Sequence, residues 1–457
     1  MNFLNSLNRF VDTAFFSNVE ISPSGYKILY SFRAVNDQHD KYIETLGIFD
    51  ICSNLNETLG TGHCFKPKWS PQGKLFSIIK DQSLMIYETN TKKIMDDIKI
   101  DRKINDYAWG TDEKSLWLLS HTEYHDNGAE PIVVGQFNTP SYISHVDLTT
   151  GKITDLIFEE YGSISNIISY KDKLYYTLKD NDVYDFPGVI KEVDYENQIA
   201  RRIDTSIDIT VISLINFTQS GELIFIGYDQ YPSNSCLEKK IYSLNLDDGK
   251  VELFLAPKKE RGTCLEVKFT QNTAIVKENN GMKSVVYSND DTLSKDVLIE
   301  KCISNISVSE NGWVAFAVQD FNEHPQLSYC KLDQLQDIKN FKKINIYDHP
   351  VLSFKTNIIN WESPDGKNIE GVLILPKEEK SPEKKPLVVI TTGRSNSFTC
   401  AYLGGSDLLG GNDKFPYPIS QFSDLGYYTL LANCRGTGYH DFEKISNMEE
   451  SAMDGYC

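Results

Sequence analysis

The chain has 457 residues, of which 40% are hydrophobic and 24% charged; this is an ordinary globular composition and excludes disordered, collagen-like and cysteine-dense chains. Its 46 basic and 64 acidic residues give a net charge of −18, which repels phosphate backbones and anionic lipid, so neither nucleic acid nor a membrane surface is an expected partner. No run approaches the ~18 apolar residues of a membrane-spanning helix.

Residues 1–16 show neither a basic leader nor an apolar core of signal-peptide length, so a cytoplasmic location is expected. The nine cysteines form no CxxC pair, so they are read as free thiols, with no metal set and no disulfide framework.

From residue 17 to about 350 the chain repeats. Short apolar runs such as Lys27-Ile-Leu-Tyr-Ser-Phe32 and Glu222-Leu-Ile-Phe-Ile-Gly227 each follow a polar turn. The turns resemble one another: Ser22-Pro-Ser-Gly25, Ser70-Pro-Gln-Gly73, Gly110-Thr-Asp-Glu113, Thr218-Gln-Ser-Gly221 and Ser309-Glu-Asn-Gly312, with Ser169-Tyr-Lys-Asp172 and Thr270-Gln-Asn272 as weaker copies. An aromatic precedes several of them: Trp69, Trp109, Phe217 and Phe269. The spacings from turn to turn are 48, 40, 59, 49, 52 and 39 residues. A second turn class lies between, as in Asp147-Leu-Thr-Thr-Gly151 and Asn245-Leu-Asp-Asp-Gly249. Each unit therefore reads as four strands joined by tight hairpins, and a period of ~40–50 residues with four strands is a propeller blade. Seven units are counted. One blade cannot bury both faces; blades packed face to face around an axis can.

The third unit is long and holds His121-Thr-Glu-Tyr-His125. Two histidines around a glutamate hint at metal, but no third ligand is evident, and the segment reads as an extended hairpin loop. No metal and no cofactor is expected.

After residue 350 the pattern changes. Residues 357–361 form a strand, Ser363-Pro-Asp-Gly366 a turn and residues 369–376 a second strand. Pro386-Leu-Val-Val-Ile390 is a continuous apolar run, read as a strand covered on both faces. Gln421-Phe-Ser-Asp-Leu-Gly426 reads as a helix end capped by glycine, and Tyr427-Tyr-Thr-Leu-Leu-Ala432 as another buried strand. Two such strands joined through a helix indicate an α/β layer.

The stretch Ser-x-Asp-Gly, Ile369-Glu-Gly-Val-Leu-Ile-Leu-Pro376, Pro386-Leu-Val-Val-Ile390 and Asn433-Cys-Arg-Gly-Thr-Gly-Tyr439 resembles the opening of the α/β-hydrolase domain of the prolyl oligopeptidase family of serine peptidases. The long third unit and the Ser-Pro-x-Gly turns look most like its acylaminoacyl-peptidase branch. The resemblance implies a mostly β protein, a seven-bladed β-propeller followed by the N-terminal part of an α/β-hydrolase domain. The expected division is an N-terminal segment 1–16, a propeller 17–350 and an incomplete hydrolase domain 351–457.

It also implies cleavage of short or acylated peptides by acyl transfer to a serine on a Gly-x-Ser-x-Gly elbow, assisted by Asp and His. No such elbow is present: Gly404-Gly-Ser406-Asp-Leu408 lacks the second glycine and precedes the Asn433–Tyr439 motif, and Gly393-Arg-Ser395-Asn-Ser397 fails too. His440 reads as a loop residue. No catalytic residue is therefore assigned, truncation within the hydrolase domain is expected, and this polypeptide alone is expected to be inactive.

Where the branch has His-Gly-Gly-Pro, Thr391-Thr-Gly-Arg-Ser395 stands; the backbone of Gly393 and Arg394 is the oxyanion-hole candidate. Asn433, Arg435, Gly436, Gly438 and Tyr439 are read as structural motif residues. Glu159 and Glu160 compare with the glutamate pair by which dipeptidyl peptidases hold a substrate amino-terminus; a solvated loop is the competing reading. The alternatives to the peptidase reading are a non-catalytic propeller that binds partners, or half of a split enzyme completed by a separate C-terminal chain.

Overall fold

A computed structural model describes residues 15–432 apart from 36–41, 63–64, 81, 123–139, 161, 180–187, 229–238, 257–265, 271–272, 281–282, 291–295, 300, 321–322, 338–340, 345–354, 365, 367, 377–383, 392–421 and 424. Between residues 15 and 344 the strands form seven four-stranded sheets, each from consecutive strands and each antiparallel throughout. These are blades 1 to 7, at residues 15–62, 68–99, 103–159, 163–202, 210–255, 266–299 and 302–344.

The apolar inner strands of these sheets are buried on both faces because each blade lies between two others. In Leu223–Tyr228 of blade 5, Leu223 and Phe225 face the core shared with blade 4. Their neighbours Ile224 and Ile226 face the core shared with blade 6. The alternation is therefore between two cores rather than between core and water. A separate apolar cluster joins each successive pair of blades, and one joins blade 7 back to blade 1 through Val19, Ile21 and Tyr30 against Leu327, Tyr329 and Ile344. The ring is closed, and it closes by packing between blades: among the described residues no strand of blade 1 belongs to the sheet of blade 7.

The repeated turns have a common construction. In four of them the opening hydroxyl accepts an N–H four or five residues on: Lys27 N–H to Ser22 Oγ (3.1 Å), Leu75 to Ser70 (3.0 Å), Glu222 to Thr218 (3.0 Å) and Trp313 to Ser309 (3.0 Å). The glycine takes the left-handed conformation that closes the hairpin, with φ of +75° at Gly25 and +70° at Gly73. In blade 3, where the turn has no such glycine, Glu113 occupies this position at φ +58°.

The aromatics before the turns reach back to the preceding blade. Trp69 Nε1–H donates to Glu20 O (2.9 Å) and Trp109 Nε1–H to Ser77 Oγ (2.9 Å). Phe217 stacks on Tyr170 at 4.1 Å and Phe269 contacts Phe254 at 6.1 Å.

One turn carries a pH signature. Asp50 accepts Lys27 Nζ (2.6 Å) and Ser53 N–H (2.9 Å). Burial raises its carboxyl, but the bonds from Lys27 and Ser53 outweigh that and bring it to about 2, from 3.8. A carboxyl depressed by folding contributes stability above its unfolded value and loses it as pH falls through the folded one. The pair is one-quarter exposed, which limits the contribution to about 1 kcal/mol. Asp50→Asn is expected to be less stable than wild type by that amount at pH 5–7, and the difference is expected to vanish as pH approaches 2. Urea unfolding across this range measures it.

The eighth sheet, residues 356–432, has a different topology. Thr356–Glu362 pairs antiparallel with Asn368–Ile374, which pairs antiparallel with Tyr428–Ala432, which pairs parallel with Leu387–Thr391. The last strand in sequence is thus inserted second from the edge. Its Thr429, Leu431 and Ala432 are buried. Ahead of it Tyr427 N–H bonds Phe422 O (2.9 Å) and Gly426 N–H bonds Ser423 O (3.0 Å), with Gly426 at φ +87°: a glycine-capped helix end. Ser423 Oγ anchors that end by donating to Leu375 O (2.7 Å). The expectation that residues 386–390 are covered on both faces is not met: Leu387 and Val389, which share one face of the strand, are each 52% exposed.

Candidate functional site

In a sheet of four consecutive antiparallel strands, the connections from first to second and from third to fourth strand lie at one end. The connection from second to third, and the exit to the next sheet, lie at the other. All the short Ser-x-x-Gly turns are therefore at one end of the ring. The strand ends at Val35 and Tyr42, His121 and Ser141, Lys179 and Val189, and Tyr228 and Lys240 are at the other. The chain also leaves blade 7 at that second end, on its way to the eighth sheet. Functional residues concentrate on connections carried by a rigid scaffold, so this is the end of the ring that bears the candidate site.

Glu159 lies there, at the end of the outer strand of blade 3. Its Oε1 accepts the hydroxyl of Tyr176 and pairs with Lys191 Nζ at 2.6 Å, both from blade 4. Its side chain is 15% exposed. Burial, and then the Glu159 carboxylate, push the Tyr176 phenol far above its ordinary value. Glu159 thus ties blade 3 to blade 4, while Glu160 follows just beyond the strand. Lys191 and Tyr176 lie 32 and 17 residues from Glu159, and no local pattern signals either.

His121 closes the second strand of blade 3 at the same end. Its Nδ1 is 2.7 Å from Asn105 Oδ1, which can only accept, so Nδ1 carries the proton. Nε2 then accepts the hydroxyl of Ser141 at 2.9 Å. Burial, and then Lys103, hold the imidazole below its usual value, so it is neutral near pH 7. Three strands are joined through one ring, whose two nitrogens are both engaged. His125 lies outside the described residues. Among the described residues no group of three His, Cys, Asp or Glu side chains could hold a metal ion.

In the eighth sheet, Gly393, Arg394, Asn433, Arg435, Gly436, Gly438 and Tyr439 lie outside the described residues. The strands that lead into them do not. Leu387–Thr391 and Tyr428–Ala432 are parallel neighbours, and Thr391 pairs in register with Ala432. The carboxyl ends of these two strands are therefore adjacent, and the carboxyl edge of a parallel pair is where ligands bind in α/β sheets.

No sequence-family model and no curated protein matches the chain. Solved structures do. The acylaminoacyl peptidase of Pyrococcus horikoshii superposes over 98% of this chain and 69% of its own, with a TM-score of 0.72 at 14% identity. This chain has the fold of a propeller peptidase. Prolyl oligopeptidase B from Galerina marginata, bound to a 25mer macrocyclization substrate, matches over 99% of this chain and 67% of its own, with a TM-score of 0.66 at 12% identity. Dipeptidyl peptidase 4 from Porphyromonas gingivalis matches over 94% and 66%, with a TM-score of 0.55 at 13% identity. The chain spans about two thirds of the length of each. The seven blades and the mixed sheet that follows them are thus a known combination.

Proposed function

We propose that this chain forms the propeller and the opening sheet of a serine peptidase of the prolyl oligopeptidase family, acting in the cytoplasm on short or acylated peptides. The observation that carries this reading is the parallel pair of strands Leu387–Thr391 and Tyr428–Ala432, whose carboxyl ends lie side by side in the sheet that follows a seven-bladed ring. In the reaction a serine hydroxyl adds to the peptide carbonyl, the amine leaves, and water releases the acyl group. Backbone N–H groups near Gly393 and Arg394 would hold the oxyanion. Each such donor contributes about 3 kcal/mol to the transition state. The nucleophile, Asp and His are not assignable to these 457 residues, and the reading places them in further sequence of the complete protein.

Two measurements test it. A fluorophosphonate probe is expected not to label the 457-residue chain; labelling that Ser406→Ala abolishes would instead make Ser406 the nucleophile. The native protein from its own cells is expected to be heavier than 52.0 kDa, with a Gly-x-Ser-x-Gly elbow in the added mass. A second reading, a non-catalytic propeller or an enzyme half completed by a separate C-terminal chain, draws on the exposed Leu387 and Val389 of the edge strand. A strand pairing there would cover them. A native mass of 52.0 kDa together with a co-purifying smaller chain would favour it.

A further inference from the structure

The junction of blades 7 and 1 is the one in the ring whose two blades are not consecutive in sequence. The innermost strand of blade 7, Cys302–Val308, is bulged between Ser304 and Ser307. Asn305, within the bulge, adopts φ +53°, unusual for a residue other than glycine. The bulge turns three groups outward: Asn305 Nδ2 donates to Phe16 O of blade 1 (3.1 Å), Ile306 N–H donates to Glu266 Oε2 of blade 6 (3.0 Å), and Ser307 Oγ accepts Ile21 N–H of blade 1 (3.0 Å). Ser307 Oγ in turn donates to Glu20 Oε2 (3.4 Å). Glu20 Oε1 then reaches Lys268 Nζ of blade 6 at 3.4 Å. This ion pair joins blade 1 to blade 6, past blade 7, between residues 248 apart in sequence. The Glu20 carboxylate holds the Lys268 ammonium above its ordinary value against the cost of burial. The side chains of Glu20 and Lys268 keep 35% and 37% of their surface accessible, so dissolved ions can screen them.

We propose that Glu20, Lys268, Glu266 and Ser307, seated on this bulge, form an ionic strap that keeps the ring shut, and that loosening the strap parts blade 1 from blade 7 before any other pair of blades separates. Among the described residues no strand pairing closes this junction, and the strap is the part of it that salt weakens; burial of Tyr30 against Tyr329 and their neighbours is not weakened by screening.

Hydrogen exchange on the full chain tests the proposal, because Ile21 and Ile306 donate their N–H groups to strap members. Leu214 N–H, which bonds Asn166 Oδ1 across blades 5 and 4 at 2.8 Å, is the control. Lys268→Met is expected to speed exchange at Ile21 and Ile306 about fivefold, the effect of losing one partly screened ion pair, and to leave Leu214 unchanged. Raising salt from about 0.1 M to about 1 M shortens the screening length from about 10 Å to about 3 Å. It is expected to produce the same local change in the wild type and none in Lys268→Met. The charge swap Glu20→Lys with Lys268→Glu is expected to restore slow exchange. Equal acceleration at Leu214, or exchange at Ile21 and Ile306 that neither the substitution nor salt alters, would overturn the proposal.

Discussion

Trp109→Ala is expected to destabilise the ring by about 3–5 kcal/mol, the cost of emptying a large aromatic site in a core that cannot collapse around it. Trp109 is 7% exposed and packs among Ile79, Ile86, Leu116 and Leu118, between blades 2 and 3. Its indole N–H also satisfies the hydroxyl of Ser77, which is fully buried. Trp109→Phe separates the two contributions. It keeps most of the packing and loses the hydrogen bond, so about 1–2 kcal/mol is expected. Chemical denaturation of the three proteins reads both values. A loss under 1 kcal/mol in the alanine variant would mean that the repeated aromatics are not structural anchors.

Gly25→Ala is expected to cost about 2–4 kcal/mol, and Gly312→Ala only about 1 kcal/mol, although the two glycines hold the same turn position in neighbouring blades. Their φ values are nearly identical, +75° and +74°, so the left-handed strain is shared. What differs is space. A Cβ on Gly25 would sit 2.2 Å from Asn311 Oδ1 and 2.8 Å from both Ser309 Oγ and Trp313 Cδ1, across the junction with blade 7. A Cβ on Gly312 meets nothing within 4 Å. Asn311 cannot simply swing away: its Nδ2 donates to Ser24 O (2.7 Å) and its Oδ1 accepts Ser309 Oγ (2.7 Å). Equal losses in the two variants, measured by the same denaturation series, would show that the closing junction tolerates displacement of the turn.

The blades were legible because their signals are local. Ser22, Ser70, Thr218 and Ser309 mark turns through a bond to a residue four or five positions on, and Gly25 or Gly221 supplies the conformation those turns need. Trp69 and Trp109 could be seen to recur, but their roles could not be read, because Glu20 and Ser77 belong to another blade. The glycine-capped helix end at Phe422–Gly426 was legible for the same reason as the turns. The exposed face of Leu387–Thr391 was not. An apolar run reads alike whether one face or both are covered, and only the packing of other layers on the sheet decides which it is.

For the candidate site the division falls in the same place. Composition, period and the residue 357–439 motifs specify seven four-stranded units followed by an α/β segment, since each depends on residues close in sequence. Which residues meet was decided by the closed ring and the crossed sheet order. The insertion of Tyr428–Ala432 beside Leu387–Thr391 brings two strand ends far apart in sequence together. The packing of blade 4 on blade 3 gives Glu159 its two partners. Closure of the ring puts Glu20 of blade 1 within reach of Lys268 of blade 6. These pairings join residues far apart along the chain, and their geometry follows from loop closure and side-chain fit between blades, for which no local pattern of residues is a code.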